Sequence, residues 1–109
     1  INPSVNDIEI SKKIGTDCVE IHTGHLSNLV KNKKNYLNEF NRIKKSSALA
    51  SNLSIEVHAG HGLDYKTTKI LTKIKQIKEF NIGHFIIGEA IFYGLNKVIK
   101  QFKKILKRK

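Results

Sequence analysis

Apolar residues recur along this chain in two alternating rhythms, one helical and one of strand type. Val5, Ile8 and Ile14 follow helical spacing, Ser4 stands where an N-cap belongs, Asp7 is placed as in a capping box, and Gly15 ends the segment. Cys18-Val19-Glu20-Ile21 is short, β-branched and apolar except for Glu20, which predicts a buried strand; His22-Thr23-Gly24-His25 reads as the loop that follows. A stretch from about Leu29 to Asn52 sets Leu37, Phe40, Ile43 and Ala50 on one helix face. Ser54-Ile55-Glu56-Val57-His58 alternates as a second strand and runs into the turn Ala59-Gly60-His61-Gly62. Asp64 caps a helix from about Tyr65 to Ile74. Phe80-Asn81-Ile82 predicts a third, very short strand, followed by Gly83-His84. An apolar helix from Phe85 to Tyr93 is broken by Gly94, and an amphipathic helix from Leu95 to Leu106 turns Val98, Ile99, Phe102 and Ile105 inward.

Strands that alternate with helices argue for an α/β fold with a parallel sheet and crossover helices. Three parallel strands leave at least two bare sheet edges, a poor arrangement for an isolated domain. Two architectures fit: an open flavodoxin-like sheet lacking strands, or the second half of a (β/α)8 barrel. The short helix from Phe85 to Tyr93 favours the barrel. TIM barrels often build a phosphate site from the loops after their last two strands and the N-terminus of a short extra helix. Residues 1–109 are therefore expected to be the C-terminal portion of a single TIM (β/α)8 barrel domain, with about three strands and their helices and with the N-terminal half absent. The opening Ile1-Asn2-Pro3-Ser4 fits this, since it reads as the tail of a strand entering a helix cap.

Composition changes this picture little. The length of 109 residues suits one small domain or part of a larger one. The net charge of +11 raises the possibility of a small basic nucleic-acid-binding module. However, the lysines are spread along helical patterns, with one denser cluster from Lys103-Lys104 to Lys107-Arg108-Lys109 that reads as a solvated tail. No aromatic residues interleave with the basic ones, and a chain rich in Lys, Asn and Ile reflects AT-rich codons as readily as a nucleic-acid partner. The single Cys18 has no internal disulfide partner and is expected to be a buried thiol. No secretory signal or long apolar run is visible, so the expectation is a cytoplasmic protein without a membrane partner.

The candidate chemistry lies in the turns. Gly60-His61-Gly62 sits at a strand's C-terminal end, where barrel enzymes work; its glycines let backbone N–H groups approach an anion, and an imidazole, with an ordinary pKa near 6.5, can pass a proton near neutrality. A tight turn with an incidental exposed His61 explains the same spacing. Gly83-His84 opens the short helix, whose first N–H groups suit a phosphate. The alternative there is that His84 simply caps and packs. Glu20 and His22 share a face by strand alternation; Glu20 could orient a catalytic group or serve a structural pair. Five histidines invite a metal, but no His-x-x-x-His or Cys-rich spacing occurs, so no metal and no cofactor are expected.

Glu20-Ile21-His22-Thr23-Gly24, Ala59-Gly60-His61-Gly62-Leu63 and Asn81-Ile82-Gly83-His84 with Ile86-Ile87, in that order, resemble the pyridoxine 5′-phosphate synthase family of vitamin B6 biosynthesis. The resemblance covers essentially this whole chain but only about the C-terminal half of a family member. It implies a TIM barrel with additional helices, assembled as an octamer. It also implies the condensation of 1-deoxy-D-xylulose 5-phosphate with 3-amino-2-oxopropyl phosphate to give pyridoxine 5′-phosphate, inorganic phosphate and water. By that resemblance His61 is the proton donor; Gly62, Gly83 and His84 bind the amino-ketone phosphate, largely through backbone N–H; and Glu20 and His22 support. The family's general bases and its pentulose-phosphate residues belong to the N-terminal half, so these residues alone are expected to be inactive. His58 departs from the family pattern, which often has Asn there, and so does Glu89 in the short helix. A different phosphate-handling TIM barrel is the remaining enzyme alternative.

Overall fold

The computed structural model describes residues 1–107, with the backbone alone at His84. Arg108 and Lys109, the end of the basic cluster, lie outside the described residues. Helix α1 (Val5–Lys13) starts where the sequence places it: Ser4 Oγ accepts the Asp7 N–H at 3.1 Å. Only this half of the capping box forms, because the Ser4 N–H donates to the Asn2 carbonyl at 2.8 Å. The buried residues of α1 are Ile8 and Ser11, whereas Val5 and Ile14 are exposed. Ile14 is the C-cap, beyond the helical stripe, and Gly15 turns the chain at φ 80°.

Strand β1 (Cys18–His22) leads into α2 (Gly24–Lys31) and then α3 (Leu37–Asn52). The expected single helix over this stretch is thus two. Between them Lys33 takes a left-handed φ of 55°, and Asn35 Oδ1 accepts the Leu37 N–H at 3.0 Å. The polar run Lys31 to Asn35 offers no apolar side chain to hold a continuous helix on the core, and Asn readily bonds nearby backbone instead. Leu37, expected inward, is exposed in the first turn of α3. Strand β2 (Glu56–Gly60) runs two residues later than the alternation suggests, since Ser54, at φ 61°, is still reversing the chain. Helix α4 (Tyr65–Leu71) is capped by Asp64, whose Oδ1 accepts the Thr67 N–H at 2.7 Å, and it stops three residues before the expected Ile74. Strand β3 (Ile77–Asn81), α5 (His84–Tyr93) and α6 (Leu95–Leu106) complete the described elements. Gly94, at φ 85°, separates the last two.

The three strands form one parallel sheet in the order β1-β2-β3. This confirms the α/β reading with crossover helices. Outside β1, the Ile1 backbone takes the place of a neighbour: its amino group donates to the Glu20 carbonyl and its carbonyl accepts the His22 N–H, both at 2.7 Å. Alternation splits the sheet into two unlike faces. Val19, Ile21, Val57, Ala59 and Ile77 pack with Ile8, Leu26, Ile43, Ala50, Leu71 and Ile74 into the core. Each fully buried aliphatic side chain contributes about 1.5–3 kcal/mol. The opposite face carries Cys18, Glu20 and His22, then Glu56, His58 and Gly60, then Glu79 and Asn81. A second cluster of Tyr65, Phe85 and Phe102, with ring centroids 4.7–5.8 Å apart, joins α4, α5 and α6. Val98 and Phe102 are buried as expected. Ile87, Ile91, Phe92 and Tyr93 of α5 remain exposed.

The short α4 depends on its cap. Asp64→Ala is expected to lower stability by about 0.5–2 kcal/mol and Asp64→Asn by much less, read from urea unfolding midpoints. Equal midpoints for wild type and Asp64→Ala would show that the cap does not hold α4.

Candidate active site

Both glycine turns lie at the C-terminal ends of strands, and they open on the same cleft. Gly60 is the last residue of β2 rather than part of the turn; it pairs with His22 on one side and Asn81 on the other. The reason is spatial: a Cβ on Gly60 would lie 2.6 Å from Glu20 Cδ and closer still to Oε1. The Glu20 side chain therefore crosses the Gly60 backbone, and its Oε2 accepts a hydrogen bond from Asn81 Nδ2 at 3.1 Å. Glu20 is exposed in this structure, and its partner is a neutral amide, so of the two structural pairings open to it, ion pair or hydrogen bond, it forms the hydrogen bond.

His61 and Gly62 follow at positive φ, 87° and 73°. For a histidine that conformation is uncommon and requires surrounding structure to hold it. Thr23 supplies it. Thr23 is fully buried; its Oγ1 lies 2.9 Å from the carbonyls of Gly60 and His61, and its N–H donates to the Gly60 carbonyl at 2.9 Å. The His61 ring stacks on His22, centroids 4.1 Å apart and planes at 27°. Gly24 makes room for both rings: a Cβ there would meet His22 Cε1 at 2.7 Å and His61 Cδ2 at 2.8 Å. The Gly24 N–H donates to His22 Nδ1 at 3.3 Å, so a neutral His22 carries its proton on Nε2. On the far side of the turn, Gly62 rests against Ser27, 3.2 Å from where its Cβ would be.

A cleft of about 760 Å³ joins the turns, with His61, Gly62, Asn81, Gly83 and Phe85 along its walls. A second, of about 510 Å³, lies on the other side of His61, toward His22, Gly24 and Lys31. Gly83 is the N-cap of α5 and has no side chain to cap it, so the first N–H groups of that helix, which have no intrahelical acceptor, receive no side-chain cap either. Of His84 the structure describes the backbone, at the first position of α5; its side chain lies outside the described residues. The structure thus brings together His61, Gly62 and Gly83 on one cleft, with His22 and Glu20 directly behind.

Sequence reasoning grouped Thr23 with Glu20 and His22 but assigned it no role, and it gave Gly24 none beyond the loop. Thr23 and Gly24 follow His22 in the chain, but their role depends on the Gly60-His61 turn lying opposite in the sheet. It also misread Cys18. The thiol is half-buried and on the polar face, since alternation sends Val19 and Ile21, not Cys18, into the core. Burial, and then the carboxylates of Glu56, Glu79 and Glu20, push the Cys18 thiol above its ordinary pKa. His58 lies beside it, and its Nε2 donates to Glu56 Oε2 at 2.8 Å.

Fold and site together define a parallel α/β protein with a cleft lined by an imidazole and glycines at the C-terminal ends of its strands. The chain belongs to the PdxJ family, the pyridoxal phosphate biosynthesis protein family, whose model matches residues 1–108. It is 61% identical over 105 residues to the pyridoxine 5′-phosphate synthase of Pelagibacter ubique, which covers 96% of this chain and 44% of that protein. The corresponding enzymes of Sulfurihydrogenibium sp. and Blochmanniella floridana are each 42% identical, over 97% and 98% of this chain and 43% of their own lengths. The chain spans less than half the length of these curated relatives. Among the described residues no helix is long and apolar enough to cross a membrane.

Thr23 is the test of how the turn is held. Thr23→Val keeps the shape but removes the hydroxyl opposite two carbonyls, and is expected to cost about 1–3 kcal/mol in urea unfolding, with Thr23→Ser largely retaining stability. A silent Thr23→Val would mean that the turn is held by its own backbone.

Proposed function

We propose that residues 1–109 form the C-terminal part of a (β/α)8 barrel whose complete chain is a pyridoxine 5′-phosphate synthase. In this reading β1, β2 and β3 are its last three strands and their polar face lines the barrel interior. The edge of β3, the edge of β1 beyond its two bonds to Ile1, and the exposed apolar side chains of α5 suit a larger assembly, since such surfaces call for cover. The complete enzyme condenses 1-deoxy-D-xylulose 5-phosphate with 3-amino-2-oxopropyl phosphate, releasing inorganic phosphate and water, and assembles as an octamer without a cofactor.

One observation carries the site assignment: His61, Gly62 and Gly83 line a single cleft. The N–H groups at Gly62, Gly83 and His84 hold the amino-ketone phosphate, helped by the positive end of the α5 dipole. His61 is the proton donor, its backbone pinned by Thr23 so that the ring faces the ligand. His22 supports the His61 ring by stacking, and Glu20 supports the strand ends across Gly60.

The test joins the N-terminal part of the Pelagibacter ubique relative to residues 1–109. The fused protein is expected to form pyridoxine 5′-phosphate from the two substrates, and the 109 residues alone are expected to form none. His61→Asn in the fused protein should lower kcat about 10²–10⁴-fold, the usual contribution of a general acid. A folded fusion without product, or His61→Asn with full turnover, would sink the assignment.

Gly60→Ala probes the Glu20 contact separately. The new methyl group must evict a flexible carboxylate, so stability should change by less than about 1 kcal/mol, while turnover of the fused protein falls. Unchanged turnover would show that the position of Glu20 does not matter to the reaction.

A further inference from the structure

The polar face of the sheet carries a second cluster, at the opposite end of the strands from the cleft. Cys18 and Glu56 open β1 and β2 and are register partners; His58 is the partner of Glu79. Four residues separate Cys18 from His22, about 13 Å along an extended strand. The pairing with Glu79 depends on an irregularity of the β2-β3 register after Val57: Ile77 pairs with Val57, Glu79 with His58, and Lys78 is passed over. Such a bulge re-aims a side chain, and here it turns Glu79 toward His58.

We propose that Cys18, Glu56, His58 and Glu79 form a binding site for a divalent transition-metal ion of the zinc type. The ligand atoms of Cys18, Glu56 and His58 all lie within 4.8 Å of one another. Cys18 Sγ lies 3.4 Å from both Nδ1 and Nε2 of His58, and Glu56 Oε2 and Glu79 Oε2 stand 2.8 Å and 3.6 Å from Nε2. A tetrahedral ion with metal–sulfur and metal–nitrogen bonds of about 2.3 and 2.0–2.1 Å sets its ligands roughly 3.5 Å apart. The Glu79 separation already matches that edge; the Glu56 carboxylate must withdraw by about 0.6 Å, and the Cys18 thiolate, now equidistant from both ring nitrogens, must swing toward the Nε2 side. One thiolate, one imidazole and two carboxylates are a zinc-type donor set, whereas Mg²⁺ and Ca²⁺ prefer oxygen alone.

Charge points the same way. The chain carries +11 overall, yet Glu56 and Glu79 have, among the described residues, no Lys or Arg ion-pair partner and only His58 within reach. A divalent cation neutralises this local excess and releases the Cys18 thiol proton to solvent on binding. The side chains reach the cluster from three different strands, which is why no ligand spacing is visible along the chain.

Cobalt(II), a spectroscopic stand-in for zinc, tests the site in the full 109-residue chain under reducing conditions. The expected result is saturable binding of one ion, with visible absorption of tetrahedral strength and a near-ultraviolet thiolate-to-cobalt band, both abolished by added Zn²⁺. Cys18→Ser should remove the thiolate band, and Cys18→Ser and His58→Asn should each weaken binding at least about 10-fold, with far-ultraviolet circular dichroism unchanged. If His58→Asn does not fold, Glu56→Gln serves in its place. Absence of saturable binding, absence of a thiolate band in the unaltered chain, or unchanged affinity in the His58 or Glu56 variant overturns the proposal and leaves His58 paired with the two carboxylates. Substrate turnover is no part of the readout, so the outcome is independent of the function proposed for the cleft.

Discussion

Everything in this chain depends on the opposite exits of successive side chains from a parallel strand. Along β1 this sends Val19 and Ile21 into the helix-covered core and Cys18, Glu20 and His22 to the other side. In-register pairing then lines up like with like, Val19 beside Val57 and Ile21 beside Ala59, Glu20 beside His58 and His22 beside Gly60. A slip of one residue would bury the carboxylates and expose the aliphatics, so the core energy enforces the register. The arrangement of the polar face is a by-product of that enforcement, and it is what makes chemistry available to the sheet.

Within the polar face, missing side chains matter as much as those present. Gly24 leaves space for two imidazole rings, and Gly60 leaves space for the Glu20 carboxylate. Gly62 combines a left-handed backbone with a close approach to Ser27. Around these gaps one buried threonine ties the β1 end to the β2 end, so that His61 is held in a conformation it would seldom adopt alone. The cleft between the two glycine turns is therefore shaped by backbone hydrogen bonds, with side chains placed on that frame.

Much of the fold was legible along the chain because its cues are local. Ser4 and Asp64 bond N–H groups three residues ahead, Gly94 permits the turn between α5 and α6, and the stripe of Val98 and Phe102 is a property of one helix. Errors fell where local cues compete or run out. The Lys31 to Asn35 stretch carries no apolar signal, and the continuous helix expected there divides in two. The start of β2 moved because Ser54 must first reverse the chain after α3, a demand set by where the sheet lies.

By itself the sequence determined the alternation of helices and strands, the caps, the two glycine turns and the residues that mark the family. Those rest on contacts within a few residues or on motifs carried by short segments. Tertiary structure alone decided that His61 stacks on His22, that Glu20 lies across Gly60, that Thr23 pins the His61 turn and that Cys18 faces His58. These contacts join residues 37 to 40 positions apart through sheet register. Register is set by the burial of the opposite face, a property of the packed sheet that no single strand contains.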